Sequence, residues 1–293
     1  MRMSLGSLLA VPLILGGCRS ARETPTAPVA QAAHTRVDCG PAIPGMEAVL
    51  KPAAFVVLGE IHGTQEAPAF AARLACHAAS SGQPVRLALE LPVAEQARLE
   101  AWFAKTDATA QQLTDSDFWR REVQDGRSSE AMKQLLEQVR DWRHAGLPLQ
   151  LVAFDAGGKE RDATMAEQLR QARSEARQDT FIVLVGNLHA RRDVGAPWNP
   201  SLEFMTHRLL VSEPGLVSLD VARTAGSAWV CRGMTADTCG QQALRGVGTA
   251  QPVGVVLQKS VDDPDGYDGT WSVGAMSASP PALGASTATP APR

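Results

Sequence analysis

Four short segments carry most of the groups able to do acid–base or metal chemistry. They are Gly59-Glu60-Ile61-His62-Gly63, Glu90-Leu91-Pro92, Asp155-Ala156-Gly157-Gly158 and Gly186-Asn187-Leu188-His189. Two carboxylates near two imidazoles suit general acid–base catalysis, because mutual charge and burial drive their pKa values apart. The donors of Glu60, His62 and His189 would equally suit a divalent metal such as zinc. In extended backbone Glu60 and His62 point to one face, and the flanking glycines allow a close approach or a sharp turn. Glu60, His62, Glu90, His189 and Asp155 are therefore the candidate catalytic residues. Singly, each has a plainer reading: a solvated strand end for Glu90, a turn or helix cap for Asp155, a hydrogen-bonded structural histidine for His189. Nearby, Arg161 opens a helical stretch and Arg191 and Arg192 follow His189. An arginine facing a pocket binds a carboxylate or stabilises an oxyanion, whereas at least one of Arg191 and Arg192 reads as a solvated charge.

What must position these groups is a set of buried strands. Residues 54–58, 85–89, 149–154 and 180–185 are near-continuous apolar runs, as expected of strands covered on both faces in a parallel sheet. Residues 215–221 and 253–257 are later candidates. Helical patterns lie between them over 67–80, 93–104, 128–145 and 161–177. The alternation predicts an α/β fold, with a largely parallel central sheet flanked by helices. Each of the four segments above follows one of these runs. A parallel sheet would bring them all to its carboxyl edge, where open α/β folds bind ligands.

The ends read differently. Residues 1–17 resemble a secretion signal: Arg2, then the apolar run Leu8–Leu15, too short to span a bilayer. Leu15-Gly16-Gly17-Cys18 resembles a lipobox, with Cys18 as the lipidated mature N-terminus, an anchor of two or more acyl chains. Residues 18–37 read as a tether and 38–276 as a single domain; 277–293, rich in Ser, Thr, Ala and Pro, read as a disordered tail. The expected location is an exported, membrane-anchored one, at the outer membrane facing the periplasm in a diderm host. Cys39, Cys76, Cys231 and Cys239 would then pair as two disulfides, a local Cys231–Cys239 bridge leaving Cys39 with Cys76, although three pairings are open.

Composition narrows the partners. The 28 Lys+Arg against 31 Asp+Glu leave a net charge of −3 and no basic surplus for a phosphate backbone, which disfavours nucleic acid. The single tyrosine, Tyr267, and 5% aromatic content disfavour a base-stacking platform. A small molecule or a peptide is the expected substrate. No Gly-x-Ser-x-Gly elbow, His-Glu-x-x-His, Walker loop or Gly-x-Gly-x-x-Gly fingerprint occurs, so the nucleophile of a hydrolase here would be water.

The paired Gly-x-x-His motifs, Gly59–His62 and Gly186–His189, with Glu90 between them, resemble a superfamily. It contains the ChaN-like haem-binding lipoproteins, the erythromycin esterases and the Tiki/TraB metalloproteases. Arg161-Asp162-Ala163-Thr164-Met165-Ala166, Val185–His189 and Gly195-Ala196-Pro197 look most like the ChaN branch, and Tyr267-Asp268-Gly269 resembles the superfamily's closing element. The resemblance spans most of residues 54–200. It implies a parallel-rich sheet with its site at the carboxyl edge. It also implies Glu60 and His62 as acid–base or metal-ligand pair, Glu90 as second carboxylate and His189 as partner histidine. Arg161, Asn187, Arg191 and Tyr267 are then candidate substrate contacts. Two departures favour a hydrolase of an ester or amide over a haem- or iron-binding uptake lipoprotein. The stretch after His62, Gly63-Thr64-Gln65-Glu66-Ala67-Pro68, lacks the further histidines of ChaN-like chains, and Tyr267 is the one tyrosine available to ligate haem.

Overall fold

The computed structural model describes residues 37–246, 251–261, 263 and 265–284. The signal-like segment, Cys18 and the tether up to residue 36 lie outside the described residues. In chain order the elements are α1 (Met46–Val49), β1 (Phe55–Glu60), α2 (Glu66–Ser80), β2 (Val85–Pro92), α3 (Gln96–Ala104), α4 (Ala110–Thr114), α5 (Asp117–Arg120) and α6 (Glu130–His144). There follow β3 (Leu149–Asp155), α7 (Arg161–Glu175), β4 (Thr180–Gly186), β5 (Val194–Ala196), β6 (Asn199–Glu203) and α8 (Met205–Leu209). The chain continues through β7 (Val217–Val221), β8 (Gly226–Cys231), β9 (Cys239–Leu244), β10 (Gly254–Val256) and β11 (Gly269–Ser272).

Seven strands form one sheet in the order β10-β11-β7-β1-β4-β2-β3. Every pairing is parallel except β10 with β11. The expected largely parallel α/β sheet is therefore present, with an antiparallel strand added at one edge. The apolar runs form strands because both faces are covered. Val56, Leu58, Leu87 and Leu184 pack with Phe70 and Leu74 of α2, Leu99 and Trp102 of α3, and Leu135 and Val139 of α6. Phe55, Val57, Phe181 and Val183 pack on the other side with Met165 and Leu169 of α7 and Met205 and Leu209 of α8. Complete burial of each such Val, Leu or Phe side chain contributes about 1.5–3 kcal/mol.

Local signals set the helix ends. Ser129 caps α6 by accepting from the Met132 amide at 3.3 Å, satisfying a donor the helix leaves open. Helix α2 stops at Ser80, and Gly82 follows with φ +84°, a backbone geometry other residues resist. The predicted helix over 93–104 begins as a single 3-10 turn, Val93–Glu95, before α3.

Two features depart from the sequence reading. The first is a β8–β9 hairpin outside the main sheet, closed by a Cys231–Cys239 disulfide between register partners. The other disulfide joins Cys39 to Cys76, so both pairs take the favoured pairing. The second concerns the expected disordered tail. Residues 277–284 instead run as a strap across the fold. The Ser277 amide donates to Glu66 at 2.9 Å, Ser279 N–H to the Gly63 carbonyl at 2.8 Å, and the Ala131 amide to Ser279 Oγ at 2.9 Å. Small polar residues and prolines suit such a strap because its bonds go to other segments, not to a periodic partner. Residues 285–293 lie outside the described set.

Candidate active site

The carboxyl ends of β1, β2, β3 and β4 lie side by side, and the four sequence segments meet there. Strand β1 delivers Glu60 and, one and two residues past its end, Ile61 and His62. The His62 ring lies between two carboxylates, with Nδ1 2.9 Å from Glu60 Oε1 and Nε2 3.3 Å from Glu90 Oε2. Glu90 Oε2 also accepts the Gly186 amide at 2.7 Å. A methyl at Gly186 would lie 3.0 Å from His62 Nε2, and one at Gly59 2.9 Å from the Ala190 methyl. The glycines of both Gly-x-x-His motifs are thus needed for the close approach of the segments that follow β1 and β4, not for an unusual φ.

Two arginines bind the carboxylates. Arg161, in the first turn of α7, places Nε 2.9 Å from Asp155 Oδ1 and Nη2 2.7 Å from Asp155 Oδ2. The same Nη2 donates to Glu90 Oε1, and Nη1 reaches His189 Nε2 at 3.4 Å. Arg127, in the loop before α6, donates from Nη1 to Asp155 at 2.6 Å and to Glu90 at 3.4 Å. Its Nη2 holds Asp125 at 2.7 Å. Beside Arg161, Asp162 Oδ1 sits 2.7 Å from His189 Nδ1 and accepts the Met205 amide at 2.7 Å. An anchored carboxylate on Nδ1 fixes the imidazole tautomer and leaves Nε2 as the lone-pair nitrogen.

Charge follows from this packing. Burial works against a charge on His62, but Glu90 and Glu60 outweigh it and raise its pKa to about 10. Glu90 would be pushed up by burial, yet the adjacent His62 cation, with His189 and Arg127 contributing, holds it well below the ordinary carboxylate range. Burial likewise opposes ionised Asp125, and its bonds to Arg127 prevail, lowering it to about 2. The site at neutral pH is a charged lattice of carboxylates, an imidazolium and guanidiniums. Each buried charge has a partner, as such groups require.

Glu60, His62, Glu90, Asp155, Arg161 and His189 therefore come together. The other candidates differ. Arg191 is tied to Asp193 and Asp263, with its guanidinium over the Tyr267 ring, and Arg192 is tied to Asp268. Neither is the solvated charge expected of at least one of them. Asn187 is held on three sides: its amide donates to the Glu60 carbonyl at 2.9 Å, its carbonyl accepts the Tyr267 hydroxyl at 2.7 Å, and its side chain bonds the Asp220 carboxylate. Tyr267 is buried, so its oxygen is not open to an iron, and the haem reading loses its tyrosine ligand.

The metal reading meets a similar obstacle. Among the described residues no group of three or more His, Cys, Asp or Glu is arranged to hold a metal ion. Both His62 nitrogens face carboxylates, and His189 lies between Asp162 and the Arg161 guanidinium, so the expected set of Glu60, His62 and His189 does not fit a cation.

Sequence reasoning missed Arg127, Asp125, Asp162 and Asp220. Asp220 stands next to last in β7, toward the same sheet edge, and burial pushes its carboxyl up to about 6. It carries the signal that marked the others, an acid at the end of a candidate strand. Asp162 adjoins an arginine already singled out. Arg127 gives no such signal, because it sits in an irregular loop.

No family model and no curated protein matches the sequence. Solved structures do share the fold. A succinoglycan biosynthesis protein superposes with a TM-score of 0.59 at 9% identity, covering 80% of this chain and 91% of that one. A Bacillus cereus protein gives 0.50 at 10% identity, with 80% and 91% covered. A mutant of erythromycin esterase EreC in its open conformation gives 0.52 at 10% identity, over 67% of this chain and 77% of that one. The chain thus shares its α/β fold with these solved proteins, an erythromycin esterase among them.

Proposed function

We propose that this chain is a hydrolase of an ester or amide that uses water as nucleophile and acts by acid–base catalysis. The observation that carries this is the convergence of Glu60, His62, Glu90, Asp155, Arg161 and His189 at one sheet edge. The shared fold with an esterase supports it as an analogy of scaffold.

In this reading His189, oriented by Asp162, removes a proton from water through Nε2, the long 3.4 Å contact from Arg161 Nη1 giving way as the water binds. The water oxygen bonds to the acyl carbon, and the carbonyl electron pair moves to oxygen. That oxyanion faces the Arg161 guanidinium, a preorganised donor that needs no rearrangement as charge develops, and lies in the field of the His62 imidazolium, whose two N–H groups stay with Glu60 and Glu90. The tetrahedral adduct collapses, and the leaving group takes from the His189 imidazolium the proton that came from water, which restores the base. Glu60 and Glu90 keep His62 charged; Asp155 and Arg127 keep Arg161 and Glu90 in place.

The two disulfides mark an exported protein, because such bonds persist in oxidising compartments. We further propose that lipidation of Cys18 anchors it to a membrane, with the catalytic domain facing the periplasm in a diderm host. No helix among the described residues is long and apolar enough to cross a membrane.

The test is turnover of short-chain nitrophenyl esters and anilides by the purified chain. Glu60→Ala and His62→Ala should each abolish release of nitrophenol or nitroaniline while circular dichroism stays that of the wild type. Activity retained in both variants overturns the proposal.

A further inference from the structure

The β8–β9 hairpin is absorbed by neither the sheet nor the proposed chemistry. Its residue Trp229 touches both halves of the site's scaffold. The Trp229 amide donates to the Gly63 carbonyl at 2.9 Å, and the Trp229 indole Nε1–H donates to the Gln124 carbonyl at 2.9 Å. Gly63 directly follows His62; Gln124 directly precedes Asp125 in the loop that carries Arg127. The contact is tight. A Cβ on Gly63, which has φ +73°, would lie 2.0 Å from the Trp229 carbonyl oxygen. A Cβ on Gly126 would lie 2.4 Å from the Gly63 nitrogen and 2.9 Å from the His62 carbonyl carbon. The turn after His62 is thus pressed between the arginine loop and the hairpin. The Cys231–Cys239 bridge closes that hairpin two residues beyond Trp229.

We propose that Trp229 is a positioning residue for the candidate site: it joins the His62–Gly63 turn to the Gln124–Arg127 loop and so holds the His62 ring between Glu60 and Glu90. The carbonyl of Gln124 is fixed from the hairpin side, and the Gln124 amide group is fixed from within by donating to the Trp119 and Arg121 carbonyls at 3.0 Å and 2.7 Å. The indole bond therefore ties the hairpin to a preformed loop, and a rigid second layer of this kind is what keeps a site to productive geometry. The ionisable groups facing His62 are Glu60, Glu90 and Asp125. A loosened turn lets the imidazole leave the first two for water.

The inference rests on the proposed function only in treating His62 as a working group, and its test needs no turnover. The His62 imidazole is titrated by nitrogen-15 NMR in the full chain and in Trp229→Phe, which keeps an aromatic ring but loses the indole N–H. The pKa of His62 should fall by about one unit toward its ordinary value. Gln124→Ala, which removes the side-chain anchors of the same loop without changing charge, should lower it too, and Trp229→Phe should add little in that background, because the two residues act through one loop. The paired Cys231→Ser and Cys239→Ser variant loosens the hairpin by a separate route and should give the same fall. A His62 titration unchanged in the folded Trp229→Phe or paired-serine protein overturns the assignment, as does full additivity with Gln124→Ala. A chain that hydrolyses no ester but shows the shift retains Trp229 in this role and loses only the hydrolase reading.

Discussion

At the scale of single residues, the feature that governs behaviour is a histidine whose proton is held by two carboxylates. The pKa of His62 lies at about 10, against 6.5 for the free group. The sign of the linkage follows. Below pH 6.5 both folded and unfolded chains carry this proton, so the stabilisation is fully present. Between 6.5 and 10 the folded chain keeps a proton that the unfolded chain releases, and stability falls as pH rises, being lost through pH 10. One proton corresponds to a slope of at most about 1.4 kcal/mol per pH unit. Urea unfolding of wild type and His62→Gln at several pH values from 7 to 10 measures it; the variant should lack this component of the slope. Activity should share the alkaline limb, since the proposed role of His62 requires its charged form. Asp125, lowered to about 2, acts in the opposite direction. Its contribution is present above the ordinary carboxylate range and is lost as pH falls through about 2.

At the scale of elements, the sequence shows best what repeats. Residues 54–58 and 180–185 read as strands because every position is apolar, which follows from cover on both faces, and the acids and imidazoles just beyond them could be placed at one edge on topology alone. The Asp155–Arg161 pairing was half legible, because a helix opening six residues after a strand end returns its first turn toward that end. Arg127 and Trp229 were not legible, since their places depend on contacts between segments far apart in sequence, with no periodic pattern to mark them. The strap at 277–284 is the clearest case. Its composition resembles a linker, yet Ser279 is 1% exposed and its hydroxyl accepts the Ala131 amide. A chain ending at Met276 should therefore lose those bonds along with the Gln65 amide to Ser277 carbonyl bond of 2.9 Å. Compared with a chain ending at Gly284, its thermal midpoint should fall by several degrees, as a loss of about 1–3 kcal/mol implies for a domain of this size. Equal midpoints by differential scanning calorimetry would show that the strap adds nothing.

At the scale of the whole molecule, the two disulfides serve different purposes, and this difference is measurable. Cys39–Cys76 closes a separation of 37 residues, and its cysteines are 7% and 0% exposed. It ties the segment entering the domain to α2, which packs on the central sheet. Cys231–Cys239 spans 8 residues and lies in the partly exposed hairpin beside the site. Loop-closure entropy grows with the length enclosed, so the longer bridge should contribute about 3–4 kcal/mol and the shorter one less. Solvent access has the reverse order, so dithiothreitol should open the hairpin bridge first. Two consequences separate along that line. Replacing Cys39 and Cys76 with serine should shift the urea midpoint strongly and leave the His62 titration of the folded protein unchanged. Mild reduction of the wild-type chain should alter His62 before it alters the unfolding midpoint. Mass spectrometry after alkylation reports which pair has opened, and the NMR titration on the same sample reports the site. If the buried pair opens first, or if opening the hairpin pair lowers the midpoint as much as the paired Cys39 and Cys76 replacement, the division between a bridge for stability and a bridge for the site is wrong.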